Sequence, residues 1–276
     1  MTTLAQPVAE PRARLRDLLA AEWIKLWSLR STPWSFVISA LAVIAFNAGA
    51  AYDHYRYWPQ FGAVHQAEFI RNGLALWDAF TGNAGMVLML CAGAIGALTV
   101  VSEYSTGMIR TTFAAVPARR SVMAAKVVVV TAVTTVFGAV VAAVSFGLTQ
   151  AILSGRDAGL SISHPGALRL VVASALLAPL SALVGMAVGA VIRHSATTMV
   201  AHVVILLLLP MAFSDDRHWS AVIAHTLPYQ AWTRLTQFGD HQAAYPWTIT
   251  GAWIVYAVWA LAAAVLAVTS VHRRDQ

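Results

Sequence analysis

The side chains best suited to chemistry in this sequence lie in a polar stretch, 102–120, between two apolar runs. The runs, 86–101 and 127–146, contain no charged residue, whereas the polar stretch carries one carboxylate, Glu103, and three arginines. Glu103 and Arg110 are seven residues apart, and a continuous helix would place both on one face. We expect both charges to lie in or near water, where a partner outside the membrane can act on them.

Motifs for an energy source or a catalytic centre are missing from the sequence. The chain has two lysines, Lys25 and Lys126, and neither lies in the Gly-Lys-Ser/Thr sequence that lets backbone amides and a lysine bind phosphates. No His-Glu-x-x-His or Gly-x-Ser-x-Gly motif occurs, and His194 and His202 are eight residues apart, which does not suit a metal site. No carboxylate pair is expected on a shared membrane face. We therefore expect no ATP hydrolysis by this chain alone, no metal and no cofactor.

The composition indicates a polytopic membrane protein. Of the 276 residues, 59% are hydrophobic and 11% are charged, whereas a soluble domain has about 25% charged residues. Several apolar runs reach the roughly 20 residues that a helix needs to cross the hydrocarbon layer. The single cysteine, Cys91, excludes an intramolecular disulfide. The net charge of +6 is not concentrated in one basic tract, so we expect membrane lipid, and no nucleic acid, as a partner.

We predict an all-α integral membrane protein with about six transmembrane helices. A cytoplasmic tail with an amphipathic interfacial helix, 1–33, precedes a single transmembrane domain, 34–276. The predicted spans are 34–52, 79–101, 121–150, 169–192, 196–213 and 247–271. The third span is longer than the membrane is thick, so its first turns, with Lys126, are expected to project into the interface.

Two connections between the predicted spans are long. The first, 53–78, is polar and aromatic. The second, 214–246, is half apolar and broken by Pro228, which favours a re-entrant or interfacial segment over a solvated loop. A re-entrant and an extracellular position of this second segment stay open.

Small and polar residues inside the predicted spans point to helix packing. Gly93 and Gly96 in the second span, and Gly185 and Gly189 in the fourth, permit close approach of helices. His202 is the only ionisable side chain deep in a predicted span. It can be a packed histidine bonded to a neighbouring helix or part of a proton relay, and the sequence leaves both readings open.

The segment 12–30 is predicted to form an amphipathic helix in the membrane interface. Its apolar residues recur at helical spacing, and its polar residues occupy another face. The apolar set is Leu15, Leu18, Leu19, Trp23 and Leu26, and the polar set is Arg14, Asp17, Lys25 and Ser28. We expect no signal peptide, because its charged leader would be too long.

The distribution of lysine and arginine predicts the orientation in the membrane. Five lie in the N-terminal arm, four in 102–126, one at Arg193 and two in the C-terminal tail, against six in the alternate segments. Both termini and the stretch 102–120 are therefore expected to face the cytoplasm. We predict a multi-pass protein of the cytoplasmic (inner) membrane.

Glycine and proline predict a short separate helix within the stretch 102–120. Gly107 is a natural break after the second span, and Pro117 would end the short helix and begin the next one. A partner that moves such a helix would tilt the second and third spans. An ordinary polar connector is the other interpretation.

The order of residues in this stretch carries a resemblance to a known family. The residues in question are Glu103-Tyr104, Gly107, Ile109-Arg110, Pro117, Arg119-Arg120 and Lys126. This order resembles the signature of the permease subunits of type-2 ABC exporters. The run Glu22-Trp23-Ile24-Lys25 is similar to the family's opening, a Glu-x-x-Lys before the first span. The arm, about six spans and the semi-apolar segment before the last span extend the resemblance over nearly the whole chain.

The resemblance implies a transporter with separately encoded partners. Such permeases work as dimers, with a second copy or a homologue, and with two ATPase subunits that bind ATP and Mg. By position, the coupling helix that docks on the ATPase corresponds to Glu103, Tyr104, Gly107, Ile109, Arg110, Pro117 and Arg119. The arm that also touches the ATPase corresponds to Glu22, Trp23, Lys25 and Trp27. Met108, Thr111 and Thr112 replace more aliphatic residues, which leaves the fit to a given ATPase open.

The sequence does not identify the transported molecule. The resemblance implies a path between two permeases, lined mainly by spans 2 and 5, whose apolar character suits an amphipathic or lipid-like molecule such as a drug, peptide or lipid. Homodimer or heterodimer, and export or import, are not distinguished. The alternatives to transport are a membrane scaffold or sensor partner and a membrane-embedded enzyme.

Overall fold

The computed structural model describes residues 14–213, 217–238 and 245–270, and most of these residues are helical. The predicted start of the arm at Arg12 and the C-terminal tail lie outside these ranges. The helices are α1 (Leu15–Ser28), α2 (Ser31–Tyr57), α3 (Ala63–Arg71), α4 (Ala75–Ala79), α5 (Gly82–Ser105), α6 (Met108–Ala115), α7 (Arg119–Ser154), α8 (Ala167–Ile192), α9 (Ser195–Val203), α10 (Leu209–Ala212), α11 (His218–His225), α12 (Pro228–Thr236) and α13 (Ile249–Thr269).

Within the described ranges, six segments are long and apolar enough to cross a membrane. They are α2, α5 with the preceding α4, α7, α8, α9–α10 and α13. The three described ranges contain no β-strand. The predicted fold class, an all-α polytopic membrane protein with about six spans, is therefore confirmed.

The ends of three spans meet on the side of the bundle that carries α1, which we call the arm side. Arg193, directly after α8, donates from Nη2 to the carbonyl oxygen of Ser270 after α13, at 3.2 Å. Its guanidinium also lies 4.9 Å from the ring centre of Tyr104, near the end of α5. The opposite side, which carries α3, α4, α11 and α12, is called the far side.

Several spans are longer than the hydropathy pattern predicts. Helix α2 covers Ser31–Tyr57 rather than 34–52, and α7 covers Arg119–Ser154 rather than 121–150. The 36 residues of α7 correspond to about 54 Å, against about 30 Å for the hydrocarbon layer. Hydropathy detects the apolar part of a span, whereas the backbone hydrogen bonds continue wherever polar side chains have water, headgroups or protein partners around them.

Helix α8 is the centre of the bundle and packs against α5, α7 and α13. Glycines permit its closest approach to α5. A Cβ on Gly96 would lie 2.0 Å from the carbonyl oxygen of Ala182, and one on Gly185 would lie 1.9 Å from that of Gly93. A Cβ on Gly189 would meet α5 at 3.0 Å. All four glycines that the sequence analysis singled out therefore lie where these two backbones come together.

The two long connections fold into short helices on the far side. Residues 53–78 supply the last turn of α2, then α3 and most of α4, while 214–246 contains α11 and α12. Helix α12 packs against α8 and α13. Its Trp232 is buried and donates from Nε1 to Ser174 Oγ at 3.1 Å. The apolar character of this segment thus reflects a packed helix, and its depth in the membrane stays a prediction.

The fifth span contains a π-helical turn, Val204–Leu208, between α9 and α10. Pro210 follows at the start of α10. Proline has no N–H, and its ring crowds the carbonyl group four residues earlier. A wider turn accommodates that ring, so the helix continues without a break.

Candidate functional site

The polar loop between α5 and α7 forms a short helix, α6. Gly107 has a left-handed backbone conformation, with φ of 73°, which lets the chain leave α5 and begin α6 at once. Glycine adopts this conformation without the steric cost of a Cβ atom. Pro117 lies between α6 and α7, where its missing N–H interrupts neither helix.

Glu103 and Arg110 do not share a helix face, so that prediction is wrong. Glu103 belongs to α5 and Arg110 to α6, and the left-handed turn at Gly107 separates the two helices. Arg110 is exposed, whereas Glu103 is 2% exposed. The expectation that Glu103 lies in or near water is therefore wrong as well.

Glu103 instead belongs to a group of four charges, which we call the charge cluster: the buried residues Glu22, Glu103 and Lys126, and the partly buried Lys25. Lys126 Nζ donates to Glu103 Oε1 at 2.9 Å and also donates to Glu22 Oε2. Lys25 Nζ lies 2.8 Å from Glu22 Oε1 and 3.1 Å from Glu103 Oε1. Two carboxylates and two ammonium groups leave the cluster without net charge. It joins α1, the end of α5 and the start of α7.

Because the charge cluster is largely buried, removal of any one of its charged side chains is expected to destabilise the fold. Glu22 and Lys126 are each 4% exposed, so water compensates neither charge. Removing one partner of such a buried pair costs about 3–5 kcal/mol, because the remaining charge stays desolvated. The four groups are therefore expected to act as one unit.

The position of Lys126 inside the protein was not predicted from the sequence. Its side chain points to two carboxylates within the protein, while the expected projection of the first turns of α7 into the interface stays a prediction. Glu22 and Glu103 thus meet at one lysine, which the sequence did not predict. The statement that His202 is the only ionisable group deep in a span stays a prediction. A signal was present: a lysine inside a span needs an acidic partner, and Glu22 and Glu103 flank spans on the same side.

Lys25 connects the charge cluster to α6. Burial lowers the pKa of Lys25, but its hydrogen bond to Glu22 and the charges of Glu22 and Glu103 outweigh that effect, so the pKa is raised and the ammonium form is favoured. Lys25 Nζ also lies 3.5 Å from Thr112 Oγ1 in α6. Thr112 thus contacts the cluster.

The arm helix α1 turns a different face to the protein than its hydropathy predicts. Leu18, Glu22 and Leu26 are buried, because this face packs against α7. Trp23 is 51% exposed, and its ring lies 5.8 Å from that of Trp27. The buried face is therefore partly charged, and the exposed tryptophans are the residues suited to a membrane interface.

A basic groove lies beside α6 on the arm side, with a volume of about 530 Å³. It is lined by Tyr104, Ile109, Arg110, Phe113, Ala114, Arg119 and Arg193. Among the residues that the structure describes, the lining contains three arginines and no carboxylate. The Arg119 guanidinium lies 5.4 Å from the ring centre of Phe113, so aromatic rings hold both Arg119 and Arg193. Most residues predicted for coupling thus meet at this groove or at the charge cluster.

His202, in α9, is buried against α5. Its Nε2 lies 3.3 Å from the carbonyl oxygen of Leu90, and a Cβ on Gly93 would lie 3.0 Å from its ring. Within the described ranges, no group of three His, Cys, Asp or Glu side chains is arranged to hold a metal ion. The contact with Leu90 fits the interpretation of a packed histidine.

A second polar contact, missed in the sequence, joins α2 and α4 on the far side. His54 Nδ1 lies 2.6 Å from Asp78 Oδ2, and Asp78 is 4% exposed. Next to it, Asn47 Oδ1 accepts a hydrogen bond from the Thr81 backbone amide at 2.9 Å. These contacts fix the entry of the chain into α5.

Comparison with known proteins adds no assignment to this site. No protein-family model matches the sequence, and no curated protein matches it either.

Proposed function

We propose that this chain is the permease subunit of an ATP-driven ABC exporter in the inner membrane, with α6 and both termini in the cytoplasm. A separately encoded ATPase, which binds ATP and Mg, docks on α6. The cargo is an amphipathic or lipid-like molecule. A second permease, identical or homologous, completes the translocation path.

One observation carries this proposal: the two spans that flank α6 are joined to each other and to α1 by buried charges. Lys126 of α7 bonds to Glu103 of α5 at 2.9 Å, and Lys25 of α1 lies 3.5 Å from Thr112 of α6. A cluster of buried, hydrogen-bonded charges resists deformation, because separating one pair leaves a desolvated charge without a partner. A displacement of α6 would therefore pass to both spans rather than be absorbed in the loop.

The surface around α6 supports docking of a protein partner. Met108 and Arg110 are exposed, while Ile109 is 7% exposed and anchors α6 to the bundle. The adjacent groove is lined by three arginines, which favours an acidic partner surface, because complementary charge speeds and orients association.

The fifth span supports the proposal of a second permease. In the most apolar stretch of this span, 22% of the residues are buried inside this chain. The remaining apolar surface needs cover from lipid or from another membrane protein. In the proposed assembly, part of this surface faces the second permease across the cargo path.

The experiment is purification of the tagged full chain from its native membranes in a mild detergent. We expect ATP hydrolysis that coelutes with a second polypeptide and is lost when that polypeptide is stripped away. The stripped chain should stay monodisperse and should not hydrolyse ATP. A folded chain that never retains an ATPase, under any detergent or nucleotide condition that preserves known ABC complexes, would instead favour the scaffold or sensor function.

A further inference from the structure

A cavity of about 590 Å³ opens on the far side, between α4, the start of α5 and α12. We call it the far-side cavity. Sites for drug-sized molecules have volumes of about 300–1,000 Å³, so this one has room for a small organic ligand. Its lining carries both charged side chains and aromatic rings, and these groups determine which ligand it takes.

Two arginines from different helices meet beside this cavity. Arg234 of α12 lines it, and Arg234 Nη1 donates to Gln237 Oε1 at 3.3 Å. Arg169 of α8 donates from Nη2 to the carbonyl oxygen of the same Gln237 at 2.9 Å. Two guanidinium groups thus contact the side-chain and backbone oxygen atoms of one residue, and their like charges repel each other at this distance.

The other contacts of these two arginines do not compensate their charges. Arg234 Nε donates to the Trp247 carbonyl oxygen at 2.8 Å, and Arg169 Nε donates to that of Leu235 at 2.9 Å. Within the described ranges, the hydrogen-bond partners of both groups are uncharged oxygen atoms, and neither guanidinium forms an ion pair with a carboxylate. Arginine stays charged at any physiological pH, so this corner of the cavity attracts an anion.

Asp78 is the only carboxylate among the described residues of the lining, and it already has a partner. Its Oδ2 lies 2.6 Å from His54 Nδ1, and Asp78 is 4% exposed. Two guanidinium groups therefore outweigh one buried carboxylate. Helix α5 begins at Gly82 on the cavity wall, and the positive end of its dipole adds to the same potential. The cavity as a whole favours an anion over a cation.

Aromatic rings next to the arginines suit a flat apolar body. Trp77 lines the cavity and is 42% exposed. Trp247 lines it as well, and its ring stacks on that of His225 with the ring centres 4.6 Å apart, which fixes its orientation. Because Arg234 donates to the backbone of the same Trp247, a charged group and an indole ring lie side by side. Indole rings pack favourably against other aromatic rings, so the wall accepts an aromatic ligand beside its anionic group.

We propose that the far-side cavity binds an amphipathic organic anion that has one oxyanion group and an aromatic body. Within the described ranges, Arg234 uses Nε and Nη1 for its hydrogen bonds, so its Nη2 donates to the oxyanion. Arg169 adds positive charge behind Gln237, and the aromatic body lies against Trp77 and Trp247. This binding requires neither the ATPase nor transport.

The test is isothermal titration calorimetry of the full chain in phosphatidylcholine nanodiscs, with naphthalenesulfonate, naphthalenemethanol and inorganic sulfate as probes. Empty nanodiscs of the same lipid correct for partitioning into the bilayer. We expect the sulfonate to bind about tenfold more tightly than the alcohol, the value of one hydrogen bond to a charged group, and more tightly than sulfate, which has no apolar body. Absence of sulfonate binding, or equal affinity for the sulfonate and either of the other probes, would overturn the proposal.

Variants locate the binding to this cavity. Gln237→Glu keeps the oxygen atom that Arg234 contacts and supplies a carboxylate between the two arginines. It should abolish the preference for the sulfonate and leave the affinity for the alcohol unchanged. Gln60→Glu is the matched control, because Gln60 is exposed on the same side and does not line the cavity. Arg234→Gln should also abolish the preference where the protein folds. If Gln237→Glu kept the preference, or Gln60→Glu lost it equally, the anion would bind elsewhere and the site would be refuted.

Discussion

Lys126 Nζ lies 2.9 Å from Glu103 Oε1, although 23 positions and the whole of α6 separate the two residues. This pair closes a loop whose ends are the last turn of α5 and the first turns of α7. Glu22 and Lys25 of the arm complete it. The arm is therefore held by buried charge and not by hydrophobic contact alone.

Loss of either charge in this pair is expected to destabilise the fold. Glu103→Ala and Lys126→Ala should each lower the free energy of unfolding by about 3–5 kcal/mol, because the partner would stay buried without compensation. Thermal unfolding of the purified variants in detergent measures the loss. A change below about 1 kcal/mol at both positions would mean that the cluster behaves as an exposed ion pair.

The double variant Glu103→Ala with Lys126→Ala tests the coupling between the two residues. Its cost should fall short of the sum of the single costs by about 0.5–3 kcal/mol, because fewer charges remain unpaired. Strict additivity in the same unfolding assay would show that the two side chains do not interact.

Arg110 is expected to matter for partner binding and not for folding. Arg110→Ala should change stability by less than about 0.5 kcal/mol, since the side chain is exposed. At an interface, the same truncation costs about 2 kcal/mol or more, which should reduce ATPase copurification more than tenfold. Arg71→Ala is the control, because Arg71 is 73% exposed on the far side. If both variants retained the ATPase equally, α6 would not be the element on which the ATPase docks.

The α5–α8 contact is expected to have no room for even one added methyl group. Gly96→Ala would place a Cβ 2.0 Å from the Ala182 carbonyl oxygen, so the helices must separate and the yield of folded protein should fall. Gly147→Ala is the matched control, because nothing lies within 4 Å of its Cβ position, and alanine favours a helix by up to about 1 kcal/mol over glycine. Size-exclusion chromatography of both variants compares them; similar yields would contradict the close packing.

The orientation in the membrane is testable by reporter fusions. A reporter active only in the cytoplasm should give signal when fused after Gln276 and none when fused after Tyr57, because positive charge is concentrated on the arm side. The reverse pattern would invert the topology and place α6 outside the cell.

The position of the candidate coupling helix α6 could be predicted from particular residues in the sequence. Gly107 and Pro117 act on the backbone within a few positions, so their effect is visible in the sequence. The glycines of α5 and α8 could be identified as packing residues for a similar reason, because a missing side chain has consequences in any close helix pair. The residues that these glycines contact could not be identified from the sequence. Gly96 packs against Ala182, and Gly93 and Gly185 pack against each other.

The sequence by itself determined that this is an all-helical membrane protein, and it determined the order of its spans, because chain length, hydropathy and helix breakers act locally. Only the tertiary structure decided where the charges lie. Spacing predicts that Glu103 shares a helix face with Arg110, yet Glu103 bonds to Lys126 and lies near Lys25, which are distant in sequence. Ion pairs form between whichever side chains the packing of helices brings within about 4 Å, and desolvation makes the buried ones decisive. That choice depends on how α1, α5 and α7 pack together, which no local pattern contains.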